Sequence, residues 1–160
     1  MSMRKRLTGL NGVERLARVD QEWLDLEQIA TVEVSSEHSD YPIECALSFN
    51  ERSGWRASRA GEQTIRLIFD TPTSLRHIQL RFDEAEAERT QEFRLSWSSA
   101  IGGVSHEIVR QQWNFSPNGA ATEIEEYAVD LPDVFVLELT IQPNLNNQGA
   151  IASLSSWRLR

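Results

Sequence analysis

From Ile29 onward, hydrophobic positions recur with a period of two. Ala30, Val32 and Val34 alternate with Thr31, Glu33 and Ser35, the pattern of a strand with one face in a core. Ile65, Leu67 and Phe69 repeat it, as do Ile78, Leu80 and Phe82, and then Phe93, Leu95 and Trp97. A fifth run falls within His106–Phe115. A sixth puts Glu125, Tyr127, Val129 and Leu131 on one face, and a seventh turns Phe135, Leu137, Leu139 and Ile141 inward. The last carries Ser155, Trp157 and Leu159. Turn formers separate the runs: Asp70-Thr71-Pro72, Gly102-Gly103, Pro117-Asn118-Gly119, Pro132-Asp133 and Pro143-Asn144. Eight short alternating strands with no helical period between them predict an all-β, eight-stranded antiparallel jelly-roll β-sandwich.

The first 28 residues read differently. Leu7, Leu10, Val13 and Leu16 recur in three-residue steps after Asn11-Gly12, which favours a helical turn; Trp23, Leu24 and Leu26 suit an extra strand or an arm over the sandwich. The expected organisation is an N-terminal arm over residues 1–28 and one jelly-roll domain over 29–160. The arm closes the bottom of the core on one reading and serves dimerisation on the other. A chain of 160 residues fits one domain and buries roughly 70% of its unfolded surface.

Charge narrows the partners. The chain carries 16 basic and 24 acidic residues, net −8. Nucleic-acid affinity rests largely on Lys and Arg neutralising phosphates, so no nucleic-acid partner is expected, nor an anionic membrane surface. No run of about 20 apolar residues is long enough to span a bilayer. The basic start Met1-Ser2-Met3-Arg4-Lys5-Arg6 is not followed by the apolar stretch of a signal peptide. Cys45 is the one cysteine, which fits a reducing compartment, and the cytoplasm is the expected location.

Ala46-Leu47-Ser48-Phe49-Asn50, Gly54-Trp55-Arg56-Ala57-Ser58 and Gln63-Thr64-Ile65-Arg66-Leu67-Ile68-Phe69 come in an order that resembles the front half of a discoidin, or coagulation-factor type C, domain. These domains belong to the galactose-binding-like fold. Leu75–Leu80 supplies the next strand of the pattern, and Glu92–Ser98 looks like the family's central strand. Phe135–Ile141, Gly149–Leu154 and Trp157-Arg158-Leu159 look like its closing strands. The resemblance covers residues 29–160 and implies a jelly roll whose ligands are met by loops at one end. Many such relatives hold a structural calcium, with an Asp in the turn after the first Ala and a Glu just before the final strand. Here Ser48 and Ser155-Ser156 stand in those places. Calcium takes 6–8 oxygens, usually including carboxylates, so no metal and no other cofactor is expected. The end-tying disulfide of secreted relatives is ruled out by a single Cys.

The resemblance also points to a site. Sugar-binding relatives carry a His and, three positions on, an aromatic residue in the loop after the first strand. His38-Ser39-Asp40-Tyr41 matches that spacing. An aromatic ring packs on the apolar face of a sugar while His bonds hydroxyls. The family pattern adds an Arg, for which Arg81 is the candidate, and an Asn about seven residues later, where this chain has Glu88. Trp113 and Phe115 read as the aromatics most exposed to solvent, Trp113 balanced between core and contact surface. Trp55, Trp97 and Trp157 read as core. The loop from Gln142 to Gly149 is rich in amides, with Asn144 and Asn147 as candidates to bond hydroxyls or a peptide backbone. The expected ligand-binding set is therefore His38, Tyr41, Arg81, Trp113, Asn144 and Asn147. It is set against the plain alternative of polar loop residues.

Enzymatic readings find no support. His38, His77 and His106 lack metal-ligand spacing, and no nucleophile elbow or phosphate-binding glycine loop is present. Cys45 sits among apolar residues, and the acidic run Asp83–Glu88 reads as a solvated loop. The sequence thus predicts a non-catalytic recognition module for a carbohydrate or similar small polar ligand. Its alternative is an intracellular protein-interaction or assembly module with no sugar ligand. The partner, glycan or protein, and the oligomeric state stay open.

Overall fold

The computed structural model describes residues 23–49 and 53–160. Within them the chain forms α1 (Leu26–Ile29), β1 (Ala30–Val34), α2 (Glu44–Leu47), β2 (Trp55–Ala60), β3 (Gln63–Asp83), β4 (Arg89–Ser98), β5 (His106–Phe115), β6 (Thr122–Gln142), β7 (Ile151–Leu154) and β8 (Ser156–Leu159).

The two 21-residue strands organise everything else. β3 and β6 pair antiparallel from Gln63↔Ile141 to Asp83↔Thr122, with register shifts between Ile68 and His77. The shifts coincide with Asp70-Thr71-Pro72 and Pro132-Asp133. The expected chain reversals there are thus corrected: pairing resumes beyond them, and the prolines, which cannot donate to a ladder, mark a bend in a continuous ribbon. Buried positions switch from Ile65, Leu67 and Phe69 to Ile78, Leu80 and Phe82 across the bend. The two halves of the ribbon consequently face each other across the core, and Phe82 stacks on Phe93 of β4 at 5.3 Å.

The front layer is β1-β3-β6-β4-β5. In the back layer, the second half of β3 lies between the first half of β6 and β8. Counted by layer, the eight alternating runs of the sequence are these five and three strands, a jelly-roll sandwich. The short pair β2–β7 was not among those runs. Its entry requires Gly54, whose φ is +76° and whose absent Cβ would lie 2.8 Å from the Leu154 carbonyl oxygen. At the bend Val134 is fully buried and Phe135 is only half-buried, a correction that follows from the shifted register.

Trp55, Trp157, Phe69, Phe82, Phe93 and Phe115 fill the core. Trp97 is half-buried beside His106. Residues before β1 pack on the sandwich: the Leu24 N–H donates to the Leu159 carbonyl at 2.7 Å, Leu26 is buried, and the Arg160 guanidinium lies 4.5 Å over the Trp23 ring. The helical turn expected around Leu7–Leu16 lies outside the described residues.

One end of the core differs from the rest. Inward positions continue past the apolar ladder to Gln63 on β3, Gln91 and Arg89 on β4, and Glu123 on β6, all buried. Polar groups replace apolar ones where the strands run into the loops.

Candidate functional site

Four loops meet at that polar end. The Glu84 N–H donates to the Ala121 carbonyl, Leu145 N–H to Thr90, and Gly61 N–H to Ala150. These bonds draw the 84–88, 116–121 and 143–150 loops together beside the β2–β3 turn.

Arg89 is the centre of the arrangement. It is 94% buried by the complement of its 6% exposure, and its guanidinium lies 5.3 Å over the Phe115 ring. Nη1 donates to the Ile151 carbonyl at 3.0 Å, and Nε faces Glu84 Oε1 at 3.2 Å. Nη2 has no hydrogen-bond partner among the described residues. Burial pulls the guanidinium below its ordinary pKa against the opposing pull of Glu84. A buried donor without a partner is costly and therefore uncommon.

Arg89 borders a cavity of about 420 Å³ that is also lined by Glu88, Thr90, Asn114, Asn144 and Asn146, with Phe115 beneath. The amides are held in place. Thr90 Oγ1 donates to Asn114 Oδ1 at 2.8 Å, and Asn144 Oδ1 accepts the Asn146 N–H at 3.0 Å. With those oxygens engaged, the NH₂ groups remain as donors and Glu88 as an acceptor. That mixture suits a ligand with several hydroxyls.

Behind this wall Gln91 Nε2 donates to Glu123 Oε1 at 3.4 Å, and the Tyr127 hydroxyl donates to Glu125 at 3.1 Å. Glu123 is fully buried. Burial, with the Glu125 charge adding to it, pushes its carboxyl up to about 8.

A second depression, about 190 Å³, lies across the acidic loop and is lined by Arg56, Asp83, Glu84, Glu86, Ile151 and Ser153. The Arg56 guanidinium sits 4.7 Å from the Tyr41 ring centre. Tyr41 in turn packs edge-on to His38, ring centres 5.5 Å apart. The acidic run is therefore only partly the solvated loop that the sequence suggested, since Glu84 is tied to Arg89.

The six sequence-predicted residues separate. His38 and Tyr41 come together, joined by an isolated bridge, and His38 Nδ1 accepts the Asp40 N–H at 3.0 Å. Arg81 points to Asp83, Nε to Oδ2 at 3.0 Å, and Asp83 also accepts from Thr122 and Ser155. Trp113 is half-buried against the core. Phe115, expected to be exposed, is fully buried under Arg89, because the inward parity of β5 runs to its last residue. Asn144 lines the larger cavity. Asn147 spends its Oδ1 on the Gly149 N–H.

Sequence reasoning missed Arg89, Thr90, Asn114 and Asn146. A signal was present for Arg89: the alternation of β4, extended backward from Phe93, places Gln91 and Arg89 on the inward face.

No protein-family model matches the sequence, and no curated protein matches it. Solved structures match by shape. The family 32 carbohydrate-binding module of C. perfringens NanJ, in complex with galactose, superposes with a TM-score of 0.64 at 14% identity, covering 86% of this chain and 96% of that one. The family 32 module of AlyQ, in complex with 4,5-unsaturated mannuronic acid, gives 0.60 at 17% identity over 82% and 95% of the two chains. A Ruminococcus gnavus GH29 fucosidase in complex with fucose gives 0.67 at 13% identity. There the match covers 87% of this chain but 26% of that one. At these identities the likeness establishes the fold alone, a jelly-roll β-sandwich of the kind those modules share.

Proposed function

We propose that this domain is a non-catalytic carbohydrate-recognition module that holds an uncharged sugar residue in the cavity between Asn114, Asn144, Asn146 and Arg89. The observation that carries the reading is a cavity of about 420 Å³ walled by Asn114, Asn144, Asn146 and Glu88 over the buried Arg89. Sugar hydroxyls meet the amide NH₂ groups and the Glu88 carboxylate at that wall. Several of the superposable folds are themselves sugar complexes, which supports the assignment without fixing the sugar. An uncharged ligand is favoured because Glu84, Glu86 and Glu88 ring the loop. The His38–Tyr41–Arg56 group borders the second depression and would meet the next residue of a longer glycan.

Glycoside hydrolysis needs two carboxyl groups flanking the scissile bond, whereas the cavity wall presents Glu88 among the described residues. That lining supports a reading of binding without turnover. A glycan array followed by calorimetry on the strongest hit tests the proposal. Saturable binding that is weakened in Asn114→Ala and Asn144→Ala is expected, and an array with no hit among neutral glycans would sink it.

A protein-partner reading has its own observation. The β4–β5 loop at the far end exposes Ile101 and Val104 at 68% and 75%, and Ile101 borders a groove of about 490 Å³ that also contains Ile68 and Val136. Loss of a co-purifying partner in Ile101→Asp, with glycan binding intact, would assign that role to the loop.

A further inference from the structure

α2 is a single helical turn, so its last carbonyls have no partner within the helix. They converge on one side chain from the final strand. Arg158 Nη1 donates to the carbonyls of Ala46 at 3.0 Å, Leu47 at 3.2 Å and Trp157 at 3.2 Å. Nη2 donates to Ser48 at 3.1 Å. The Phe49 ring covers the group, its centre 5.1 Å from the guanidinium carbon. Four oxygens and an aromatic face therefore surround one positive charge.

These are the two chain segments from which calcium-holding jelly rolls of the resembled family draw their metal carboxylates. The donor set here does not fit a calcium ion. Ser48 and Ser155-Ser156 bring hydroxyls in place of carboxylates, and Ser155 Oγ is turned away to donate to Asp83 at 2.7 Å. Among the described residues no group of three or more His, Cys, Asp or Glu side chains is placed to hold a metal. A cation already anchored within hydrogen-bond distance of three successive loop carbonyls would repel a second one.

We propose that the Arg158 guanidinium is the domain's built-in cation, clamping the α2 turn to β8 in the role that a bound metal ion would otherwise fill. The arrangement makes the fold independent of calcium at this place. Arginine suits the task better than lysine. Its planar fork reaches several acceptors at once, and it keeps its charge against the desolvation that acts on this side chain. The clamp concerns the side of the sandwich and stands apart from the glycan reading.

Thermal melts of the full chain test it. For the unaltered protein, EDTA and millimolar calcium chloride are each expected to leave the Tm unchanged, and calorimetric titration with calcium alone is expected to show no binding. Arg158→Ala should melt about 5–10 °C lower, and millimolar guanidinium should raise the Tm of that variant alone. Arg158→Lys should fall between the two. It also decides the matter if the alanine variant does not fold. A calcium-dependent rise in the unaltered protein, an Arg158→Ala Tm equal to it, or a lysine variant as stable as arginine would each overturn the proposal. Lack of guanidinium rescue in a folded Arg158→Ala would assign the side chain to packing instead of charge.

Discussion

Arg89 and Arg158 are both partly or wholly withdrawn from water, and in both burial pulls the guanidinium below its ordinary pKa. They differ in what they hold. Arg158 sends its two terminal nitrogens to four backbone carbonyls. Arg89 makes one hydrogen bond, to Ile151, faces Glu84, leaves an enclosed Nη2 without a partner among the described residues, and borders a cavity with the rest of its side chain. The same chemical group is thus saturated at one place and unsaturated at another. A saturated buried cation organises the chain around itself. An unsaturated one beneath a cavity keeps an enclosed donor in reserve.

The comparison predicts separable losses. Arg158→Met orphans the loop carbonyls and should cost about 2–3 kcal/mol of folding stability, read by urea denaturation, while sugar affinity stays the same. Parallel loss of affinity would erase the distinction between the two arginines.

The polar floor beneath Arg89 gives the next effect, and its sign can be worked out. The Glu123 carboxyl sits at about 8 in the folded chain against 4.5 for its ordinary value. The folded state therefore holds a proton that the unfolded chain releases at lower pH. This stabilisation is fully present below about pH 4.5 and is lost as pH rises through about 8. Glu123→Gln keeps the hydrogen-bonding shape without the titration. It should flatten the stability profile and stabilise the folded chain at pH 8, with little change at pH 4. An unchanged pH profile in the variant would show that Glu123 does not carry the effect.

Arg89 itself ranks third. Arg89→Met should weaken glycan binding about 10-fold, because it frees the Ile151 carbonyl and Glu84 that the guanidinium holds beneath the cavity. Arg89→Lys should not restore it, because an ammonium cannot hold Ile151 and Glu84 from one fork. Recovery of full affinity in the lysine variant would reduce the site to a point charge.

Much of this contrast was written in the pattern of residues, but not in the features that first attract attention. Period-two alternation located all eight sandwich strands because a sheet packed on one face imposes it on every strand. It also held the position of Gln91 and Arg89, two and four residues outside the apolar run of β4. It could not show that β3 and β6 each pass through both layers, since a proline bend inside a ribbon and a proline turn between strands look alike from local composition. His38 and Tyr41, singled out by a sugar-site spacing, pack ring against ring. Arg81 did not join them, because Asp83, two residues on along the same strand, captures its guanidinium. Phe115 looked exposed through its polar neighbours, yet parity on β5 outranks the company a residue keeps. Arg158 offered no local signal at all, since three of its four carbonyl partners lie over a hundred positions away.

The smallest predicted effects decide which depression at the loop end is the principal one. Asn144 borders the larger cavity and contributes an amide NH₂ while its oxygen holds the 143–150 loop. Asn144→Ala should therefore reduce affinity for a single sugar about 5-fold, near 1 kcal/mol for one neutral hydrogen bond. His38 has its Nδ1 occupied by the Asp40 N–H, and Tyr41 has one partner on its edge and Arg56 near its face. Their remaining surface meets only a ligand long enough to cross the acidic loop. His38→Ala and Tyr41→Ala should then leave monosaccharide affinity unchanged and lower that of an oligosaccharide about 2- to 3-fold. Calorimetry with a matched monosaccharide and oligosaccharide separates the two positions. If His38→Ala abolished monosaccharide binding while Asn144→Ala did not, the site would move to the Arg56 depression.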